Sequence, residues 1–121
     1  MKTPITIVLA ASLLATPAFA LSYPVSGRYG LSAETKPGPI DCAGKRVIRF
    51  DGVRRFDSNG GVPEYRIFDV VQNGPANFRI TEQFATAQIN ARLKYTLRLV
   101  DSDRIELAMS PGGTLKLKRC S

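Results

Sequence analysis

Apolar and polar residues alternate most regularly between Ala91 and Cys120. Ala91, Leu93, Tyr95, Leu97 and Leu99 alternate with Arg92, Lys94, Thr96 and Arg98. This period of two predicts a strand with one buried and one wet face. Asp101-Ser102-Asp103 interrupts the pattern, and Ile105, Leu107 and Met109 resume it. Ser110-Pro111-Gly112-Gly113 interrupts it again, and Thr114 to Cys120 alternates once more. Three strands joined by short polar turns predict an antiparallel meander.

The earlier chain follows the same rhythm less regularly. Ser26 to Leu31 opens a first strand, and Leu21 to Ser26 reads as a loose lead-in. Ser32 to Asp41 holds Pro37-Gly38-Pro39 and must be a loop, because proline removes a backbone donor and fixes φ. Lys45 to Val53 is a strand with Ile48 and Phe50 on one face, and Asp57 to Gly61 is a turn. Tyr65 to Val71 is apolar on both parities, so either both faces are covered or a bulge shifts the register. Gln72-Asn73-Gly74-Pro75 is a hairpin turn. Asn77 to Phe84 turns Phe78, Ile80 and Phe84 inward and Glu82 with them. An inward carboxylate needs a partner or an opening, and a place at a barrel rim is preferred here over an internal site. Glu82 to Ala91 reads as strand, bend, strand, with a single helical turn as the alternative.

The expected fold is therefore all-β: a small antiparallel barrel or curled meander of about seven or eight short strands. Its expected core is Tyr29, Ile48, Phe50, Ile67, Phe78, Ile80, Leu93, Tyr95, Leu97, Leu99, Ile105, Leu107, Leu115 and Leu117.

The first residues change the cellular setting. Met1-Lys2-Thr3-Pro4 leads into a short apolar run that ends Ala18-Phe19-Ala20, the pattern of a secretory signal peptide cleaved after Ala20. The run is too short for a transmembrane anchor, and no basic stop-transfer cluster follows it. Residues 1–20 are then a leader and 21–121 a single domain, expected in the periplasm or secreted by a bacterium. Losing Lys2 leaves 16 of the 17 Lys and Arg against 10 Asp and Glu, a net charge of +6. Such a balance suits either an anionic partner or a soluble domain whose cations sit on wet strand faces.

Cys42 and Cys120 are the only cysteines. In an oxidising compartment an even count predicts one disulfide, and their wide separation argues for a structural bridge over a redox pair. The chain contains no His, which removes Ser-His-Asp and Cys-His devices and the commonest zinc ligand. No P-loop or dinucleotide fingerprint occurs. Asp101-Ser102-Asp103 has too few carboxylates for a calcium loop and reads as a turn bonded to its own backbone. The expectation is a non-enzymatic chain without cofactor or metal, monomeric, and not a nucleic-acid binder. One surface could meet an anionic envelope component: Arg92, Lys94 and Arg98 on one strand's wet parity, Lys116 and Lys118 on the last strand's, with Glu106 between them. The alternative is that Glu106 simply pairs with its basic neighbours across the strands.

Gly27-Arg28-Tyr29 near the start and Arg119 near the end carry a resemblance. Together with the leader and the meander they resemble the small calycin-type, lipocalin-like barrels, which open on Gly-x-Trp and pack a late Arg across that ring. Tyr29 stands where those proteins have Trp. The resemblance implies that Arg119 points inward and stacks on Tyr29. Within that group the length also resembles the bacterial secreted metalloprotease inhibitors, which push an N-terminal segment into a protease cleft; Leu21-Ser22-Tyr23-Pro24 would be that segment here. The implied function is an exported binding or interaction domain of the cell envelope, holding a small apolar ligand in its mouth or meeting an unknown protein partner. The alternative is a protease-inhibitor-like protein acting through its rim and N-terminal segment.

Overall fold

A computed structural model describes residues 21–121, and the expected signal peptide at 1–20 lies outside the described residues. Eight strands form a closed antiparallel barrel in sequence order. They are β1 (Gly27–Leu31), β2 (Val47–Asp51), β3 (Arg54–Asp57), β4 (Tyr65–Gln72), β5 (Asn77–Ala85), β6 (Asn90–Leu99), β7 (Arg104–Met109) and β8 (Gly113–Arg119). Pairing of β1 with β8 closes the cylinder, with Tyr29 opposite Arg119 and Leu31 opposite Leu117. The predicted meander is β6–β7–β8, with Leu97 opposite Leu107 and Leu107 opposite Leu115. Among the described residues no helix is long and apolar enough to cross a membrane.

Alternation put the core where it was expected. Tyr29, Ile48, Phe50, Ile67, Ile80, Tyr95, Leu97, Ile105, Leu107 and Leu117 are buried, while Phe78, Leu93, Leu99 and Leu115 pack partly buried against them. The register of β4 against β5 slips between Ile67 and Asp69, so a bulge is the device that resolves the mixed parity of this strand. It leaves both Phe68 and Asp69 outside and turns Val70 back onto the core. Strand, bend, strand is the path from Glu82 to Ala91, with β5 and β6 in unbroken register from Asn77–Arg98 to Ala85–Asn90.

β3 was not expected. Its inward residues are Arg55, opposite Phe50, and Asp57, opposite Ile48. Charged side chains at both inward positions invert the usual pattern and hide the strand from a search for apolar alternation.

The loop after β1 folds back over the outside of the β1–β8 seam. Ile40 bridges to Cys120, and Cys42 is disulfide-bonded to Cys120 across a sequence separation of 78. Gly30 lies beneath this strap, and a Cβ there would come within 2.6 Å of the Cys42 sulfur. The intramolecular bond suggests an oxidising compartment.

Candidate functional site

Inside the barrel, inward positions of β3, β5 and β6 bring Arg55, Glu82 and Tyr95 together, and Tyr23 joins them from the segment before β1. Arg55 donates from Nε to Glu82 Oε2 at 2.7 Å and from Nη2 to Oε1 at 2.8 Å. Tyr23 and Tyr95 each donate a hydroxyl to Glu82 Oε2, at 2.8 and 2.7 Å. The Arg55 guanidinium also lies 4.0 Å from the centre of the Tyr65 ring. Glu82 is 0% exposed, so it is not a rim residue: it is the centre of an internal network. Its two oxygens accept four hydrogen bonds, about the capacity of a carboxylate, which is why the charge can be buried at all.

This environment shifts the partners. Burial, reinforced by the Glu82 charge, pushes the Tyr23 and Tyr95 phenols well above their ordinary range. Burial alone would lower the Arg55 guanidinium, but its hydrogen bonds and charge pairing with Glu82 outweigh that and raise it. The two phenols thus stay protonated and Arg55 stays charged over the ordinary pH range, which suits a structural brace.

Tyr23 corrects the expectation of a loose lead-in. Its amide donates to Gly52 O at 2.9 Å, and its ring stands edge-on to Phe50 with centroids 5.1 Å apart. The N-terminal segment thus fills its own barrel, leaving Leu21 and Ser22 outside. Sequence reasoning missed both Tyr23 and Arg55; the inward Glu82 was the one signal that cationic or phenolic partners had to exist.

Arg119 meets Tyr29 as anticipated. The guanidinium sits 4.8 Å from the ring centre, and its Nη2 donates to the Tyr29 hydroxyl at 2.7 Å. Its Nη1 reaches the Ser26 carbonyl at 3.1 Å, tying the last strand to the entry of the first. In the β6–β7 turn, Asp101 accepts from the amides of Asp103 and Arg104, the self-bonded turn the sequence suggested.

The expected basic ribbon divides into three. Lys118 is not on a wet face: it is 1% exposed, covered by the strap, and donates its ammonium to the Lys36 carbonyl with Glu34 at 3.9 Å. Parity pointed it outward, but the outside of the β1–β8 seam is covered. Arg98, Glu106 and Lys116 share one row across β6–β7–β8, and Arg98 pairs with Glu106 at 2.9 Å. Arg92 and Lys94 lie farther along β6, beyond the end of β7, and face β5 and β4 instead.

On that β4–β5–β6 face the outward rows are Arg66–Gln83–Arg92, then Asp69–Thr81–Lys94, then Val71–Arg79–Thr96. Phe68 stands out from the bulge at 42% exposure, with the Arg92 guanidinium 3.7 Å from its ring centre. Val71 is also exposed, directly opposite Arg79. An open groove of about 660 Å³ runs along the first row, lined by Glu64, Arg66, Gln83, Ala85, Asn90 and Arg92. Arg66 lies 3.4 Å from Glu64, an exposed and weak pair, whereas among the described residues Arg79, Arg92 and Lys94 have no acidic group within salt-bridge distance. Comparison with protein-family models, characterised proteins and solved structures finds no match to this chain.

Proposed function

We propose that this chain is an exported, non-enzymatic interaction domain of the bacterial cell envelope that works through its outer surface. The observation that carries this reading is the content of the barrel. The axis is occupied by Tyr29, Phe50, Tyr95 and the Arg55–Glu82 pair, which leaves an apolar ligand no lumen to enter. The signal-like leader and the Cys42–Cys120 bond support a periplasmic or secreted address. The Arg119–Tyr29 stack supports a calycin-like, lipocalin-like relationship. A protease-inhibitor role finds less support, because Tyr23 of the segment that would enter a cleft is anchored on Glu82.

The experiment is a titration of native, oxidised protein with an environment-sensitive hydrophobic dye and with long-chain fatty acids. The expected result is no saturable binding. Stoichiometric binding that competes between dye and fatty acid would overturn the reading and restore a ligand carrier.

A further inference from the structure

We infer that the β4–β5–β6 face docks on an anionic lipid bilayer; this deepens the reading of an outward-acting envelope domain and rests on it. Two kinds of side chain meet on that face. Arg79, Arg92 and Lys94 are exposed cations without acidic partners among the described residues. Phe68 and Val71 are exposed apolar groups set among them, and Asp69 is the acid in the middle of the face. Val53, also exposed, lies beside β4 through the hydrogen bond from the Ile67 amide to its carbonyl.

The mixture selects the partner. A soluble polyanion such as a sulfated polysaccharide would reward the cations and leave Phe68 and Val71 in water. A bilayer interface rewards both: apolar side chains enter the boundary between head groups and acyl chains, and long basic side chains reach the phosphates beside them. The bulge supports this placement. It keeps Phe68 outside while swinging Asp69 off the core, and the Arg92 guanidinium sits over the ring, 3.7 Å from its centre, so that charge and aromatic stand side by side. Three adjacent strands make the patch about 10 Å wide, room for a few lipid head groups. Attraction of roughly fivefold per cation predicts a reversible, salt-sensitive contact.

The test is co-sedimentation of the oxidised protein with phosphatidylglycerol–phosphatidylcholine vesicles, with pure phosphatidylcholine vesicles, and retention on heparin. Wild type should bind the anionic vesicles and release at high salt, and it should ignore neutral ones. Arg79→Glu with Lys94→Glu should weaken vesicle binding by tenfold or more, each lost cation accounting for roughly fivefold. Phe68→Ser should weaken vesicle binding severalfold and leave heparin retention unchanged. Arg28→Glu with Lys36→Glu, the same charge change on exposed residues elsewhere, should have the smaller effect. Thermal unfolding verifies that each surface variant is folded. Absence of binding to anionic vesicles overturns the inference, as does equal loss in the two double variants. Heparin retention with Phe68→Ser indistinguishable from wild type on vesicles also overturns it, in favour of a soluble polyanion. None of these outcomes touches the filled-barrel reading, which stands or falls on the dye titration.

Discussion

Arg55 and Glu82, 27 residues apart in the chain, meet inside the barrel in a two-point ion pair with donor–acceptor distances of 2.7 and 2.8 Å. Each would be a severe liability alone. Together with Tyr23 and Tyr95 they form a polar spine that the apolar core surrounds.

Breaking that pair on one side should be expensive. Arg55→Met leaves Glu82 buried without its counter-ion, Glu82→Leu leaves Arg55 only Asp57 at 4.0 Å, and each should cost about 3–5 kcal/mol. The double variant should be less destabilised than the sum, because it removes both charges. Urea denaturation of the four proteins checks this; additive costs would mean that the two groups do not compensate each other.

Tyr23→Phe keeps the ring against Phe50 and removes one donor to Glu82. A loss of about 1–3 kcal/mol is expected for a hydrogen bond to a charged acceptor. The raised phenol adds a pH signature. Its folded pKa lies above the ordinary 10.0, so its contribution is complete below that value and is lost as pH climbs above it. Wild type should therefore lose stability on the alkaline side more steeply than Tyr23→Phe, and ultraviolet titration should find fewer phenols ionising near the ordinary value in native than in denatured protein.

Acid stability should depend on Asp57. Burial pushes its carboxyl up, but the Arg46 hydrogen bonds at 3.0 and 2.6 Å and the Asn59 amide outweigh that and hold it below its usual 3.8. A depressed folded value contributes stability that is present above the usual value and lost as pH falls below it. Asp57→Asn should lower the midpoint of unfolding at neutral pH and flatten its decline in acid. A parallel decline in variant and wild type would remove Asp57 from the acid response.

The strap gives a coupled prediction. Gly30→Ala directs a methyl group at the Cys42 sulfur, 2.6 Å away, and should cost about 1–3 kcal/mol as an overpacked site. Replacing both cysteines by Ala should cost roughly 4 kcal/mol through the loop it opens, and should make Gly30→Ala nearly free. If Gly30→Ala is equally harmful with and without the disulfide, the sulfur is not what it meets.

Alternation along the chain determined the barrel: hydrophobic burial acts on parity, and Leu93 to Leu99, Ile105 to Met109 and Leu115 to Leu117 carry that parity in plain view. The cysteine count predicted the bridge for a similarly local reason, since two thiols in an oxidising setting have only each other. The interior network, the covered lysine and the mixed basic and apolar patch were decided elsewhere. Arg55 reads as a surface cation until β3 is paired with β2, because only closure of the barrel says which side of a strand faces inward. Lys118 has outward parity and is buried all the same, since parity is set by neighbours along the strand and burial by a strap from a distant loop. Arg92 and Lys94 were placed beside Lys116 by sequence order, but β6 outruns β7 and hands their part of the face to β4 and β5. Sequence records the period of each strand; register, strand length and loop path are joint properties of segments that meet only when the chain is folded.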